Sequence, residues 1–102
     1  DAFTSPLTQI DKVYTSNFEL NKPYPNPFNN QINFEFSIKS SYDVSLKIYN
    51  VKGQLIENLI QRQLLEGNYN ISWDASKNAS GIYFVKYISD SYSKTDKIIY
   101  LK

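Results

Sequence analysis

Carboxylates carry most of the chemistry open to this chain of 102 residues, because the chain contains neither histidine nor cysteine. Histidine-dependent triads, disulfides and metals held by imidazole or thiolate are therefore excluded. The ten Asp and Glu residues form no repeated Asp-x-Asp loop and no obvious facing pair, which argues against a glycosidase. We expect no enzymatic activity, no catalytic residue and no cofactor.

Calcium is the remaining metal to consider, since loops of secreted β domains often hold it with oxygen atoms alone. The candidate ligands are Asp74 near Asn78 and Asp90 near Asp96. Asp and Asn side chains at such positions more simply bond the backbone of their own turn. We therefore expect these residues to stabilise turns, and we predict no metal site.

Aromatic side chains could instead bind sugars by stacking, and the chain has nine Tyr, six Phe and one Trp. Alternation along a strand places Tyr69 and Trp73 on one face, and Tyr83 and Tyr87 share another. A single Trp in a small β domain is more often a core anchor than a ligand contact. Both a sugar platform and core packing remain open from these residues alone.

The overall charge points to no polyanionic partner, because eleven Lys and Arg against ten Asp and Glu leave a net charge of +1. Nucleic-acid binding, which needs a basic face, is not expected. No run approaches the ~20 apolar residues that span a bilayer. The polar start, Asp1 to Ser5, does not resemble a signal peptide, so if the protein is exported, its export signal is expected upstream.

Short apolar runs recur every 8 to 12 residues or so, a spacing typical of a β-sandwich. The first sixteen residues lack such periodicity, so we interpret 1–16 as a linker from an upstream domain and 17–102 as one domain. Between 55 and 65 the apolar spacing also suits a helix, but a strand fits the surrounding pattern. The seven predicted strands are Phe18–Leu20, Ile32–Ile38, Val44–Ile48, Leu55–Ile60, Tyr69–Trp73, Gly81–Ser89 and Lys97–Leu101.

Turns and faces follow from the same pattern. Lys52-Gly53 predicts a hairpin turn, and further turns are expected at Glu66-Gly67-Asn68 and at Asp90-Ser91. The strand Gly81–Ser89 is apolar on both faces, which favours a central position in its sheet. In the last strand we expect Ile98, Ile99 and Leu101 to belong to the core.

Five blocks, in order, carry a family resemblance. They are Tyr24-Pro25-Asn26-Pro27-Phe28-Asn29 before an alternating strand, the run from Val44 to Leu55 with its turn glycine Gly53, the pair Gly67 and Trp73, the block Ser80 to Phe84, and the lysine-marked last strand with Lys94, Lys97 and Lys102. Together they closely resemble the type IX secretion C-terminal sorting domains of the type A class, over residues 18 to 102. Similar blocks occur in the immunoglobulin-like domain of flagellar hook-scaffolding proteins.

The resemblance implies an all-β, immunoglobulin-like β-sandwich of about seven antiparallel strands. It also implies a sorting signal that directs an attached cargo protein, through the periplasm, to the surface or medium of a Bacteroidetes-type bacterium. The implied partners are the outer-membrane translocation machinery, a sortase-like peptidase that cuts the linker, and the upstream cargo domain; we expect a monomer. The implied recognition and signature residues are Asn26, Gly53, Gly81, Lys97 and Lys102.

Two other functions compete with this one. A carbohydrate-binding or fibronectin-like accessory module of a polysaccharide-degrading enzyme would use the aromatic residues on its surface. A structural immunoglobulin-like spacer would only separate other domains. The last strand distinguishes the sorting function physically, because an edge strand at the end of a sheet can add to the strands of a receptor.

Overall fold

The computed structural model describes residues 18–89 and 92–102, which form seven strands. The prediction of an all-β domain with seven strands is confirmed. The predicted linker and the Asp90-Ser91 turn lie outside the described residues. Nowhere in the described ranges is there a helix long and apolar enough to cross a bilayer. The strands are β1 Phe18–Leu20, β2 Gln31–Ile38, β3 Tyr42–Asn50, β4 Leu55–Leu64, β5 Gly67–Asp74, β6 Gly81–Ser89 and β7 Tyr92–Tyr100.

The strands form two antiparallel sheets with an immunoglobulin-like arrangement. One sheet has the order β1-β2-β5 and the other the order β4-β3-β6-β7. Strands 1, 2 and 5 thus oppose 3, 6 and 7, as in immunoglobulin domains, while β4 pairs with β3 and not with β5. The Tyr83 hydroxyl donates to the Ala79 carbonyl oxygen at 2.6 Å, near the start of the sixth strand. This is the tyrosine corner of the immunoglobulin sandwich.

Alternation of apolar and polar residues builds the core between the sheets. On β2 the side chains of Ile32, Phe34, Phe36 and Ile38 are buried, whereas the residues between them are half-buried. The alternation repeats along β3 and β6, so the inward faces of both sheets meet in one apolar layer. Strand β6 lies between β3 and β7, which confirms its predicted central position.

Strand β4 runs four residues beyond its predicted end at Ile60 and is a strand throughout. Its pairing with β3 is interrupted by two register shifts, which leave Ile56 and Leu59 as extra residues. Such bulges let neighbouring residues turn to the same face. They explain why the apolar spacing in this segment also suited a helix.

Strand β7 is also longer than predicted, because the polar residues from Ser93 to Asp96 pair with β6. Ile98 is fully buried, as predicted, but the prediction that Ile99 and Leu101 belong to the core is wrong. Ile99 is half-buried on the outer face of its sheet, and the exposed fraction of Leu101 is 53%. Tyr100, whose exposed fraction is 1%, fills the core in its place. Because Ile98 and Tyr100 face inward, alternation directs both Ile99 and Leu101 outward.

Candidate recognition site

The proline-rich segment that connects β1 to β2 joins the two sheets along one side of the sandwich. Its first half extends the pairing of β1, since Tyr24 and Asn33 exchange backbone hydrogen bonds at 3.1 and 2.7 Å. Its second half crosses to β7, where Phe28 forms a parallel bridge with Tyr100. The Tyr24-Pro25 and Asn26-Pro27 peptide bonds are both cis. The segment therefore brings the first sequence block onto the last strand.

Asn26 fastens this segment to the edge of β7 through both ends of its side-chain amide. Its Nδ2 donates to the Lys97 carbonyl oxygen at 3.1 Å, and its Oδ1 accepts from the Ile99 amide at 3.0 Å. A carboxamide presents the same donor and acceptor pair as a backbone peptide group. The side chain of Asn26 thus replaces the peptide of a neighbouring strand.

Phe28 continues the cover and closes the end of the core. Its amide donates to the Ile99 carbonyl oxygen at 2.9 Å, and its carbonyl oxygen accepts from the Leu101 amide at 2.8 Å. Its ring, 2% exposed, lies 5.1 Å from the Tyr100 ring and 6.0 Å from the Trp73 ring. The segment is therefore held both by backbone pairing and by aromatic packing.

The aromatic residues considered for sugar stacking face the core. Trp73, Tyr83 and Tyr87 have exposed fractions of 3%, 6% and 1%, and Tyr69 is partly buried and packs on the Phe36 ring at 5.4 Å. A ring that binds a sugar must offer an open face to solvent. The prediction of core packing for Trp73 is confirmed, and these rings form no external platform.

The same, C-terminal end of the last strand is also anchored to the loop between β5 and β6. The Lys102 amide donates to Ser80 Oγ at 3.0 Å, and Lys102 Nζ donates to the Asn78 carbonyl oxygen at 3.3 Å. Gly81 begins β6 directly after Ser80 and lies opposite Tyr100. Its φ of +150° is one that L side chains rarely adopt, so any other residue at the start of this strand would strain the backbone.

Gly53 lies in the turn between β3 and β4, as predicted. The amides of Lys52 and Gln54 both donate to Asn50 Oδ1 at 2.9 Å, and Gly53 has a φ of +81° in the left-handed region. The Asn50 amide donates to the Gln54 carbonyl oxygen at 3.0 Å, which closes a three-residue loop, 51–53, with glycine in its last position. Asn50 pairs with Tyr83, so the turn lies at the same end of the sheet as Gly81.

The side chain of Lys97 takes no part in these anchoring contacts. It is exposed on the outer face of the four-stranded sheet, opposite Phe84. Its carbonyl oxygen alone contacts Asn26. The structure thus gathers Asn26, Gly81 and Lys102 around the last strand, with Gly53 at the same end, while the ammonium group of Lys97 points away from them.

Asp96 is the carboxylate of β7 that faces inward, opposite Val85. Burial raises its pKa above the ordinary value, against the opposing effect of Lys94 and Lys22. Lys94 Nζ lies 3.8 Å from one carboxylate oxygen, while the other oxygen is buried and has no hydrogen-bond partner among the residues that the structure describes. Burial, with a smaller contribution from Asp96, also raises the pKa of the Tyr87 hydroxyl, which is buried too and has no hydrogen-bond partner in the described part of the chain.

The calcium candidates are explained by local bonds where the structure describes them. Asp74 Oδ1 accepts from the Ser76 amide at 2.9 Å, and this bond lowers the pKa of the Asp74 carboxyl. The arrangement is the turn-stabilising Asx bond expected from the sequence. Within residues 18–89 and 92–102 no cluster of three or more carboxylates could hold a metal ion. Asp90 lies outside the described residues.

The outer edge of β7 is covered along only part of its length. Alternate residues of an edge strand turn their N–H and C=O groups outward. In the described part of the chain, Asn26 and Phe28 satisfy such groups of Lys97, Ile99 and Leu101, whereas those of Ser93 and Thr95 have no partner. The sequence predicts an open edge for the last strand. It does not identify Phe28 and Ser80 as anchors of the strand, although both lie inside the blocks that carry the resemblance.

These features define an immunoglobulin-like domain whose terminal strand is fastened by a proline-rich segment and keeps a short open edge. The model of the secretion system C-terminal sorting domain family matches residues 22–101, and the chain belongs to that family. It is accordingly a C-terminal sorting signal for type IX secretion, which directs export to the cell surface or medium. No curated protein and no solved structure shows significant similarity to the chain.

Proposed function

We propose that this domain labels an upstream cargo protein for export, and that the outer-membrane translocation machinery reads the label at β7. The proposal adds a place and a set of residues to the sorting function of the family. Residues 1–16 serve as the linker to the cargo, and a sortase-like peptidase cuts within that linker after translocation. The domain acts as a monomer and needs no cofactor.

The observation that carries the proposal is the open part of the β7 edge. Ser93 and Thr95 turn four backbone hydrogen-bonding groups outward, and the described residues provide no partner for them. Exposed edge groups of this kind are where an extended segment of a receptor adds as a further strand. The covered part, beside Asn26 and Phe28, fixes where such an added strand must stop.

Among the signature residues, the two lysines have different environments. Lys97 is exposed and forms no ion pair within the described ranges, which suits a side chain that a receptor contacts. Lys102 is bonded to the loop before β6 through both its amide and its ammonium group. We therefore propose that Lys97 contributes to recognition directly, and that Lys102 positions the end of the strand.

The test is export of a reporter fused to the domain, in a bacterium with an active type IX system and in the same strain with that system disabled. Thr95→Pro removes an N–H that points away from β6, so no ladder bond is lost. Proline is tolerated on an edge strand at such a position. We expect export of this variant to fall with little change in melting temperature. Thr95→Val, which keeps the N–H, is the matched control.

A second pair of variants separates the lysines. Lys97→Ala should weaken export without unfolding the domain, because truncating an exposed charged side chain changes stability by about 0.5 kcal/mol or less. Lys39→Ala, at an exposed turn, is the control. Removing Asp96 to Lys102 altogether is less informative, since it also deletes buried Ile98 and Tyr100. Normal export of a folded Thr95→Pro variant would refute recognition at the edge, and normal export of Lys97→Ala would refute a role for that lysine.

A further inference from the structure

The outer face of the four-stranded sheet carries apolar and cationic side chains that no other layer covers in the described chain. We refer to it as the lysine face. Leu55, Ile82 and Ile88 on this face have exposed fractions of 52%, 40% and 37%. Register and alternation place on it Leu55 of β4, Lys47 and Tyr49 of β3, Ile82, Phe84, Lys86 and Ile88 of β6, and Lys97 and Ile99 of β7.

The outer face of the three-stranded sheet has the opposite character. Its outward residues are amides, hydroxyls and carboxylates, among which Asn70 Nδ2 donates to Glu35 at 3.1 Å and the Tyr24 hydroxyl donates to the same carboxylate. Several of its polar groups are thus bonded to the Glu35 carboxylate. The apolar side chains that alternation turns outward are concentrated on one of the two faces, the lysine face.

The three lysines of the lysine face repel one another. Lys47 lies directly opposite Lys86 on the neighbouring strand, and Lys97 lies diagonally from Lys86, opposite Phe84. Like charges in directly opposite positions destabilise a sheet. The described residues provide no ion pair to any of the three, and the nearest carboxylate along β3 on this face, Asp43, is four residues from Lys47, about 13 Å away at 3.3 Å per residue.

Charge complementarity restricts what can cover such a face. A second copy of the domain would set lysine against lysine, which disfavours self-association. The shape of the face disfavours a bilayer surface. Interfacial binding buries apolar groups about 5 to 10 Å deep, which is the height of a side chain or more. The side chains of a broad, flat sheet do not project far enough to reach that depth. A folded protein surface with an apolar centre and carboxylates around it satisfies both the lysines and the apolar rows.

Building on the sorting function proposed above, we infer that the lysine face docks on a protein surface of the export machinery that has an apolar centre flanked by carboxylates. The face is continuous with the open β7 edge through Lys97 and Thr95, which neighbour each other on its last strand. The edge would set the register of docking, and the lysine face would supply most of the contact area.

Lys47→Glu separates docking from folding. The change places a carboxylate directly opposite Lys86, so the domain keeps or gains stability, whereas the docking charge is reversed. We expect an unchanged or higher melting temperature together with export of a fused reporter reduced about threefold or more, equivalent to losing one rim ion pair. Lys39→Glu, with the same charge change at an exposed turn, should export as the wild type does.

The apolar part of the face is tested in the same assay. Leu55→Gln should reduce export, and Leu65→Gln, at an exposed leucine outside the lysine face, should not. Export of both Lys47→Glu and Leu55→Gln at the wild-type level would overturn the lysine face while leaving the sorting function standing. Failure of the wild-type domain to direct any export would overturn both.

Two further measurements identify the partner that binds the lysine face. Phosphatidylglycerol vesicles should not sediment the wild-type domain at physiological ionic strength, and the domain should sediment as a monomer in analytical ultracentrifugation. If the wild-type domain sediments with the vesicles and Lys47→Glu abolishes this, the partner of the lysine face is an anionic lipid and not a protein. If the domain dimerises and Leu55→Gln abolishes this, the partner of the lysine face is a second copy of the domain.

Discussion

At the scale of single residues, a cluster of aromatic rings anchors the end of the sandwich where the sequence blocks meet. The Trp73 ring lies 6.0 Å from the Phe28 ring and 5.4 Å from the Tyr83 ring, which meets it edge-on. One of these rings comes from the proline-rich segment and the others from β5 and β6. Packing among them therefore joins parts of the chain that are far apart in sequence.

Trp73→Ala should destabilise the domain by about 3 to 5 kcal/mol, the cost of removing a large buried aromatic side chain. For a domain of this size that corresponds to a fall in melting temperature of roughly 10 °C or more, measurable by circular dichroism. Leu65→Ala, at an exposed position, is the control. A fall of less than about 3 °C for Trp73→Ala would contradict the packing described here.

Asp96→Asn should raise the melting temperature at pH 7. The folded-state pKa of Asp96 is raised by burial, so the folded state prefers the protonated form. Its favourable contribution is complete below the ordinary carboxyl pKa of about 3.9 and is lost as the pH rises through the raised value. The groups that face it are Tyr87, Tyr92, Lys94 and Lys22.

The gain from Asp96→Asn should therefore shrink as the pH is lowered towards 3.9 and below. Thermal unfolding of both proteins across this range measures it, with Asp43→Asn, an exposed carboxylate of β3, as the control. An equal or lower melting temperature for Asp96→Asn at pH 7 would mean that the attraction of Lys94 and Lys22 outweighs the cost of burial.

At the scale of elements, the proline-rich segment acts as a short extra strand beside β7. Prolines provide no backbone N–H, so the segment offers few donors of its own, and the Asn26 amide provides one in their place. The result is a last strand whose backbone is satisfied at one end and open at the other. This division underlies the proposal that recognition takes place near Thr95.

Asn26→Ala should destabilise the domain by roughly 1 to 2 kcal/mol, because it removes two hydrogen bonds of about 0.5 to 1.5 kcal/mol each at an exposed position. The backbone amide of Ile99, which donates to the Asn26 side chain, should then exchange its hydrogen faster in nuclear magnetic resonance experiments. Asn29→Ala, an exposed neighbour, should change neither quantity. An unchanged exchange rate at Ile99 would show that the carboxamide does not protect this edge.

Strand positions were the part of the fold most open to prediction. The cores of β2, β3 and β6 follow directly from period-two alternation, because one face of each is uniformly apolar. The ends of β4 and β7 were not predictable in this way. Bulges disturb the alternation in β4, and the polar residues of β7 are held in the sheet by pairing with β6, which is a partner distant in sequence.

At the scale of the whole molecule, the two outer faces of the sandwich differ in chemistry. The three-stranded sheet presents polar side chains, some of which are bonded to Glu35, and the four-stranded sheet presents exposed apolar side chains and lysines without an ion pair in the described residues. Both proposals concern the second face and its edge strand. A single asymmetric face can be recognised without opening the core.

The amino-acid sequence by itself determined the class of fold, the number of strands, the absence of histidine and cysteine chemistry, and the family, because all of these depend on residue types and short-range periodicity. Only the tertiary structure decided which aromatic residues face the core, how much of the β7 edge is covered, and that Lys47 and Lys86 lie opposite each other. These features depend on strand register and on contacts such as those between Asn26 and residues 97 to 99. Register is set by long-range pairing and packing, which local patterns do not contain.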